Sequence, residues 1–422
     1  MPYIEWRGNS CRVKWWNGEY TASGKKRYES ASGFVSEAEA YDYGLDRESD
    51  VRNLRHVTRQ SGRIAVKQWS LTWLATLDLD PTSVNHYRKV LRAQVWPRWG
   101  ATPLVEITTH QYKAWKNQIE ANYSANYARD ILKVFGMLMD DAVDHVPPLI
   151  SVSPVPKVNK RRGRYKPKPR EKKNVVLTAD IHRLAENARV VWGQTGYVFM
   201  LTAGYTGMRL GELFGLRREF CHPLWPASDP DPERREEGLL RYGGDDPMPA
   251  IRVQWQHKYL KDPANLDAQG VPHFAPPKYG SERTLVIPPF LAELLEQHLA
   301  SHDSEHVFPA LTGGPLLTTD FNTYYWKPIR DGADARVGRY SREKVKPVEV
   351  FAGKRIHLIR HAHKAHMDED GHPRVVVEER QGHRLQGVEG VYSQVTPTME
   401  RRVMQCLQAR WLTEEGTREG RG

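Results

Sequence analysis

The chain has 422 residues, and 62 lysines and arginines against 51 aspartates and glutamates give it a net charge of +11. This length predicts two or three domains that bury their own cores, and the basic excess favours a polyanionic partner, most often a nucleic acid. Three widely separated cysteines, no secretory signal and no membrane-length apolar stretch argue against a disulfide framework, a cysteine zinc site and a membrane protein, and we expect a cytoplasmic location.

Residues 1–60 predict a small module of three strands backed by one helix. Tyr3–Arg7 and Cys11–Trp16 can pair through a short turn, and Asn17–Gly18 is a strong hairpin signal. Ser36 is a typical helix N-cap. A basic and aromatic sheet of this kind can lie in a DNA groove. The residues that we expect to contact DNA are Lys14, Trp16, Lys25, Lys26 and Arg27.

Residues 61–153 predict a helical domain. An apolar stripe with helical spacing runs from Ile131 to Ala142. Basic residues on an earlier helix, after Pro81, could either form a solvated face or grip phosphates. The three candidates for phosphate contact are Arg88, Lys89 and Arg92.

Residues 154–175 predict a basic linker. The segment 157–173 holds ten lysines or arginines with two prolines and has no apolar face to bury. Such a segment either binds the phosphates of DNA or is a hinge that makes no contacts. The residues expected to contact DNA are Arg161, Arg162, Arg164, Lys166 and Lys168.

Residues 176–422 predict an α+β domain. Helical patterns cover about 179–218, strand patterns cover Ile251–Gln256 and Arg283–Ile287, and further helices follow the second strand. The segment at about 220–250 is rich in proline, aspartate and glutamate. That composition predicts an inserted surface loop, acidic where the rest of the chain is basic.

The first chemical motif is a loop-to-helix junction at Gly207. Glycine permits a tight turn there, and Arg209 follows at the start of the helix. Glu212, three residues on, can hold the guanidinium by a charge-assisted bond. Alone, this pair is also a common surface salt bridge.

The second motif, Pro277–Pro288, predicts a lysine at a hairpin tip that leads into a strand. Lys278 could reach over a DNA groove from such a tip. An exposed loop lysine is the plain alternative.

The third motif begins at His357, one helical turn before Arg360, so both side chains can meet the same phosphate. His361, His363 and His366 follow. A zinc site is the competing hypothesis for these histidines, although the nearby carboxylates lie in a turn-like run rather than at ligand spacing.

The fourth motif is Gln381–His383, followed nine residues after the histidine by Tyr392. A lone tyrosine is usually a packing residue. Here it follows a glycine-containing stretch, Gly387–Gly390, that could let it move into place.

Together these motifs resemble the tyrosine recombinases of the phage-integrase family. Gly207–Glu212 resembles the family's first arginine box, and Pro277–Leu285 resembles its hairpin lysine motif. His357–His361 resembles the His-x-x-Arg-His box, and His383 with Tyr392 resembles the final box. The likeness covers nearly the whole chain and is most specific in the last domain.

The resemblance implies a multidomain, mainly α protein with small β-sheets. Residues 1–60 would be an arm-type DNA-binding domain with a three-stranded sheet and a helix. Residues 61–153 would be the helical, SAM-like core-binding domain, and 176–422 the α+β catalytic domain. The gap from Arg209 to Lys278 is longer than usual in the family, so Lys258 and Lys261 are alternatives for the lysine.

The resemblance also implies the chemistry. Two arginines would grip a phosphodiester, the histidines would donate to it or act as a base, and the lysine would protonate the departing 5′ oxygen. The tyrosine would form a 3′-phosphotyrosyl intermediate, with neither metal nor cofactor. The implied catalytic residues are Arg209, Lys278, His357, Arg360, His383 and Tyr392, with Glu212 supporting them.

The implied partners are double-stranded DNA with core and arm attachment sites, a homotetramer on two duplexes, and DNA-bending or directionality factors. A helix over Met399–Trp411 would either pack on a neighbouring protomer or fold back onto its own domain. Three alternatives stay open: a type IB topoisomerase, a DNA-binding regulator with an inactive catalytic domain, and a metal-dependent nuclease that uses the histidine cluster.

Overall fold

The structure is a computed structural model. It describes residues 1–7, 10–53, 55–57, 61–157, 175–260, 271–311, 313–337, 342–383, 385 and 394–419. The described residues divide into two compact units: the first comprises those up to residue 157, and the second those from residue 175 onward. In the described part of the chain, no helix combines the length and the apolarity that a bilayer crossing requires.

The first unit begins with an antiparallel sheet in the order β1 (Tyr3–Arg7), β2 (Ser10–Tyr20), β3 (Lys26–Phe34), followed by helix α1 (Glu37–Arg52). Cys11, Val13 and Trp15 are buried at every second position of β2, so one face of the sheet packs under the helix. Ser36 accepts a hydrogen bond from the backbone of Glu39, as its sequence position predicts. The expected sheet-plus-helix module is confirmed.

The expected hairpin at Asn17–Gly18 is wrong. Strand β2 continues through both residues, and Gly18, at φ 91°, sits in a bulge that shifts the register between Trp16 and Tyr20. The chain reverses later, where the amide of Thr21 donates to the carbonyl of Lys25 at 2.7 Å. The positive φ of Gly18 accommodates the extra residues of a bulge within the strand and does not reverse the chain.

The rest of the first unit is helical, as predicted. Its helices are α2 (Val66–Thr76), α3 (Pro81–Val90), α4 (Trp96–Trp99), α5 (Thr109–Asn122) and α6 (Ala125–Asp144). A π-helical turn, Leu91–Val95, joins α3 to α4, and 3-10 turns occur at Ser61–Arg63 and Leu104–Glu106. The apolar stripe of α6 is buried in the core, where Trp69 donates to the carbonyl of Leu138 at 3.0 Å.

The second unit contains nine further helices in its described part: α7 (Thr178–Thr206, kinked at Gly193), α8 (Leu210–Phe214), α9 (Pro232–Tyr242), α10 (Pro289–Ala300), α11 (Thr318–Asp320), α12 (Lys327–Asp331), α13 (His357–Glu369), α14 (Arg374–Arg380) and α15 (Pro397–Glu419). A π-helical turn spans Phe321–Trp326, and 3-10 turns occur at Arg218–Phe220 and Glu349–Phe351.

Two small antiparallel sheets complete the second unit. Strand β4 (Ala250–Val253) pairs with β7 (Arg283–Val286), which confirms the two predicted strand regions. Strand β5 (Gln256–Leu260) pairs with β6 (Val271–Ala275) and was not predicted from the sequence. The β5–β6 pair is inserted between the partners β4 and β7.

The inserted segment at about 220–250 is not a plain surface loop. Its residues Pro232–Tyr242 form helix α9, with Asp231 capping the backbone amides of Glu233 and Arg234. Trp225 and Tyr242 belong to the main core of the unit. The prolines and acidic residues that suggested a loop instead begin the helix and cap it.

Helix α15 folds back onto its own unit. Val403, Leu407 and Trp411 are buried, and the Trp411 ring stacks on Phe290 at 4.0 Å with an interplanar angle of 5°. Of the two arrangements expected for Met399–Trp411, the structure adopts packing within the chain.

Candidate active site

The turn between α7 and α8 presents Arg209. Helix α7 ends at Gly207 in the left-handed conformation, φ 66°, where a β-carbon would lie 2.6 Å from His363 Cδ2. A side chain at Gly207 is therefore excluded by both strain and space. Arg209 then caps α8, its amide donating to Glu212 Oε2 at 2.8 Å.

Glu212 lies buried at the centre of the site, with 1% of its side chain exposed. Arg209 Nη1 donates to its Oε1 at 2.7 Å, and Arg283 donates to its Oε2 at 2.8 Å and its Oε1 at 3.2 Å. Burial alone would raise the pKa of Glu212, but the charge and hydrogen bonds of Arg283, with those of Arg209, lower it to about 2. The carboxylate is therefore a fixed anion that orients two guanidinium groups.

Arg360 of α13 links the same turn to the segment after α14. It donates from Nη1 to the carbonyl of Gly207 at 2.7 Å and from Nη2 to the carbonyl of Gln381. Burial, and then repulsion from Arg209, lowers the pKa of Arg360 to about 9. Its charge lacks a direct carboxylate partner among the described residues, so a bound anion would stabilise it.

His383 follows α14 through Gly382, which has φ 62° and carries its carbonyl 3.3 Å from Arg209 Nη2. Arginine can only donate, so His383 Nε2 accepts from Arg360 Nη2 at 3.3 Å. The ring proton then lies on Nδ1 and is donated to Glu378 Oε2 at 2.7 Å. Glu378 therefore fixes both the orientation and the tautomer of His383.

His357 begins α13 at the edge of this cluster, and its side chain is largely exposed. Its ring meets the ring of His361 edge-on at 4.8 Å. Partial burial of the ring, and then repulsion from His361 and Arg360, lowers its pKa. The lowered pKa favours the neutral form of His357, which could accept a proton.

Lys278 does not lie at a hairpin tip, because it sits in the turn between β6 and β7, which belong to different sheets. Its carbonyl accepts from Ser281 Oγ at 2.9 Å, and that hydroxyl accepts from Arg209 Nη1 at 3.3 Å. Its ammonium lies 5.1 Å from the centre of the Tyr279 ring. The turn is thus coupled to Arg209 although the side chain is exposed.

The Lys278 turn and His383 face one cleft of about 700 Å³, lined in part by Tyr279, Ser281, Gly382 and His383. The alternative lysine, Lys258, lies on β5 opposite His273. The structure thus brings Arg209, Glu212, Arg360 and His383 into one bonded cluster, with His357 and Lys278 at its border.

Several predicted residues lie outside the described part of the chain. They are the nucleophile candidate Tyr392, the alternative Lys261, and the linker residues Arg161, Arg162, Arg164, Lys166 and Lys168. Their sequence-based assignments stay predictions.

The DNA-contact candidates of the N-terminal sheet lie on or next to the face opposite α1. Trp16 is half-buried with Lys26 5.0 Å from its ring centre, Lys14 pairs with Glu5 at 2.6 Å, and Lys25 is exposed. Arg27 pairs loosely with Glu19.

In the helical domain, Arg88 and Lys89 end α3 and Arg92 follows in the π-helical turn. Lys89 and Arg92 are exposed.

Of the three clustered histidines of α13, His363 and His366 are buried and oriented into the fold, and His361 is exposed. His363 bonds to the carbonyl of Gly204 at 2.9 Å, and His366 to the carbonyl of Val176 at 3.1 Å. Within the described residues, one group has metal-ligand proximity, Asp370, His372 and Cys406. Arg410 already holds the Asp370 carboxylate by two-pronged hydrogen bonds, which disfavours a cation there.

Sequence reasoning missed four residues of this cluster: Ser281, Arg283, Glu378 and Arg380. Arg283 shares the inward face of β7 with Leu285, so an arginine in the apolar register of a strand was the available signal. Arg380 is buried and donates to His363 and to the carbonyls of Val286 and Tyr205. Nothing in the local sequence of Glu378 marks it as the partner of His383.

No family model matches the sequence, and no curated protein matches it. Solved structures do match. A fragment of the Tn1549 transposon integrase, in complex with a circular intermediate DNA, is 13% identical, with a TM-score of 0.53 over 82% of this chain and 99% of that one. Lambda integrase, as a tetramer bound to a Holliday junction, is 11% identical, with a TM-score of 0.51 over 94% of this chain and 98% of that one.

Both matches extend over nearly the full length of the solved chains, and both are to integrases. At this low identity the likeness concerns the arrangement of the chain. It confirms, for the fold, the resemblance found in the motifs. The chain has the fold of the tyrosine-recombinase integrases.

Proposed function

We propose that this protein is a site-specific DNA recombinase of a phage or mobile element, which integrates or excises DNA through a 3′-phosphotyrosyl intermediate. One observation carries the proposal. Arg209, Arg360 and His383, from three separate motifs, are bonded into one cluster beside a cleft.

The positive charge of the cluster is complementary to the negative charge that a phosphodiester gains when it is attacked. Three guanidinium groups, those of Arg209, Arg283 and Arg360, have one fully buried carboxylate among them, that of Glu212. The surplus positive charge is already oriented, so stabilising the extra negative charge of the transition state needs little reorganisation. We assign Arg209 and Arg360 as the phosphate clamp and Arg283 as its buried support.

Tyr392 is the proposed nucleophile, on the basis of its spacing from His383. A phenol has an ordinary pKa near 10, so its attack requires a base and a cationic surrounding. Neutral His357 is the candidate base. Lys278 is the candidate acid for the departing 5′ oxygen, because its turn is coupled to Arg209 through Ser281.

The reaction conserves the energy of the broken bond. The tyrosine oxygen displaces the 5′ oxygen of DNA, and a 5′ hydroxyl from the same or another duplex later displaces the tyrosine. No cofactor is required by this scheme. Four copies on two duplexes is the proposed assembly, with the lambda integrase tetramer as the supporting relative; DNA-bending or directionality proteins are proposed partners.

The test is covalent capture on nicked DNA. The substrate is a pool of nicked duplexes, half tiled across the DNA that flanks the coding region and half of random sequence. We expect wild type to form an adduct that survives denaturation, and Tyr392→Phe to bind the pool without forming one. An adduct with Tyr392→Phe, or none with wild type, would contradict the proposal. Relaxation of plasmids that lack any captured sequence would instead support the topoisomerase alternative.

A further inference from the structure

We propose that the cleft beside the cluster holds a nucleobase, and that this base stacks on the ring of Tyr279. The base belongs to the nucleotide that carries the departing 5′ oxygen. Tyr279 is then a binding residue for the strand that cleavage releases, a role separate from the phosphate clamp. This inference rests on the proposed function and adds a contact to its substrate.

Tyr279 combines an exposed ring with a strained backbone. The residue is 75% exposed. Its φ is 66°, and in the described part of the chain it is the one non-glycine residue with a positive φ. A bulky side chain is unfavourable in this left-handed region. Neither packing nor local conformation accounts for an aromatic side chain here, which points to a partner outside the chain.

The turn that carries Tyr279 is held against the clamp. The hydroxyl of Ser281 donates to the carbonyl of Lys278 at 2.9 Å and accepts from Arg209 Nη1 at 3.3 Å. Strand β7 begins two residues later, at Arg283. The ring is therefore presented from a fixed turn, so little ordering is needed when a ligand binds.

The ring lies beside the proposed position of the departing oxygen. The ammonium of Lys278, the candidate acid for that oxygen, lies 5.1 Å from the centre of the Tyr279 ring. Tyr279 also lines the same cleft as His383, which accepts a hydrogen bond from Arg360 of the clamp. With a phosphate in the clamp, the nucleotide next to the ring is the one attached to the 5′ oxygen.

The lining of the cleft favours a base over a second phosphate. Beside Tyr279, the carboxylates of Glu282 and Glu379 line it. Carboxylates repel phosphates, but they accept hydrogen bonds from the exocyclic amino groups of bases. An aromatic ring offers a face on which every base can stack. The cleft, at about 700 Å³, has the size of an ordinary ligand pocket.

Cleavage makes such a base available. Once the strand is broken, the nucleotide with the 5′ hydroxyl is linked to DNA on one side only, so its base leaves the stack at a lower cost than in an intact duplex. Stacking on an aromatic side chain offsets part of that cost. Tyr279 thereby retains the released 5′ end near the clamp until it is joined again.

A scan with abasic nucleotides tests the base contact. The probe is a duplex selected from the nicked pool by its binding to the full-length wild type, with one nucleotide at a time made abasic. We expect Tyr279→Ala to lower affinity about tenfold, and one abasic position to lower wild-type affinity to a similar extent. At that position the two changes together should cost no more than either alone, because both remove the same contact. Losses that multiply at every position would overturn the proposal.

Two comparisons separate stacking from charge. Tyr279→Phe keeps the ring face and should bind within about twofold of wild type. Tyr279→Ala should leave the salt dependence of affinity unchanged, because the ring neutralises no phosphate. A shallower salt dependence would mean that the variant acts through the neighbouring Lys278, against the proposal. Leu240→Ala removes another exposed apolar side chain, on α9, and as the matched control should bind like wild type.

A stability measurement tests the structural alternative. Asparagine tolerates the left-handed region better than tyrosine, so Tyr279→Asn should keep or raise the melting temperature while it loses affinity as Tyr279→Ala does. A lower melting temperature would show that the ring stabilises the turn, and the binding role would be rejected.

Mapping the scissile phosphate fixes the position of the base. We expect the abasic position that interacts with Tyr279→Ala to be the nucleotide that bears the departing 5′ oxygen in the wild-type adduct. Interaction at a different nucleotide would refute this placement. The scan itself measures binding and needs no cleavage. An interacting position without any wild-type adduct would therefore support the base contact and contradict the proposed function.

Discussion

Arg360 donates to the carbonyl of Gly207 at 2.7 Å, and so a residue of α13 holds the turn that presents Arg209. The two arginine motifs, 151 residues apart by sequence number, are one structural element in the folded chain. The proposed phosphate clamp is thus held together by contacts within the folded chain.

The first prediction separates the effect of Arg209 and Arg360 on cleavage from their effect on DNA binding. Lysine at Arg209 or Arg360 keeps a positive charge but loses the forked donor, so we expect single-turnover cleavage to fall about a hundredfold or more, with DNA affinity lowered less than tenfold. Arg360→Lys should in addition lower the melting temperature, because two backbone carbonyls lose donors. Rate and affinity that fall equally would indicate a general binding role for the pair.

The second prediction concerns Glu212 and pH. Its pKa is lowered from 4.5 to about 2 in the folded state, so the ionised carboxylate adds stability above about pH 4.5, and this is lost as pH falls toward 2. The shift corresponds to about 3 kcal/mol.

Glu212→Gln should therefore lower the free energy of unfolding by about 3 kcal/mol at pH 7. The difference from wild type should narrow between pH 4.5 and 2, as measured by denaturant unfolding. Glu236→Gln, an exposed carboxylate on α9, is the control and should change little. A gap of constant size across this range would show that Glu212 acts through its shape and not its charge.

The third prediction concerns Glu378. Glutamine keeps the side-chain shape but removes the charge that holds the Nδ1 proton of His383. We expect Glu378→Gln to reduce adduct formation about tenfold with little loss of DNA binding. Lys364→Met removes the other partner of Glu378, which lies 2.6 Å away, and should have a smaller effect. If the lysine variant is the more damaging one, Glu378 serves α13–α14 packing rather than His383.

The fourth prediction identifies the leaving-group acid. Lys278→Ala should slow cleavage of ordinary DNA, but not of DNA with sulfur in place of the departing 5′ oxygen, because a thiolate leaves without protonation. Lys258→Ala is the matched control and should cleave both substrates at wild-type rates. If Lys258→Ala shows the sulfur-dependent rescue and Lys278→Ala does not, the assignment moves to β5.

The motif residues could be found from the sequence because residues that interact within one turn keep a recognisable spacing. Gly207, Arg209 and Glu212 form a turn and a cap within six residues, so the sequence alone fixes their relation. Arg283 could not be found from motif spacing because its partner Glu212 lies 71 positions away. Glu378 could not be found because nothing in its local sequence marks it as the partner of His383. A motif search compares residue types along the sequence. It does not reveal that Arg209 and Arg283 share the carboxylate of Glu212.

The insertion was misinterpreted for a physical reason. Prolines and acidic residues predict loops when the chain offers them no partner, and here Arg234 pairs with Asp231 and Arg401 with Asp246. The β5–β6 pair, which was not predicted, lies along the chain between the two predicted strands β4 and β7. The contact of Asp246 with Arg401 joins residues that are distant along the chain, so the local sequence of the insertion does not show it.

The most direct measurement is the identity of the residue that carries the DNA. The adduct trapped on the nicked pool would be digested with protease and nuclease and the nucleotide-bearing peptide sequenced by mass spectrometry. We predict a single peptide with a 3′ phosphate esterified to the oxygen of Tyr392. A phosphate on any other residue, or an adduct linked through a 5′ phosphate, would contradict the account.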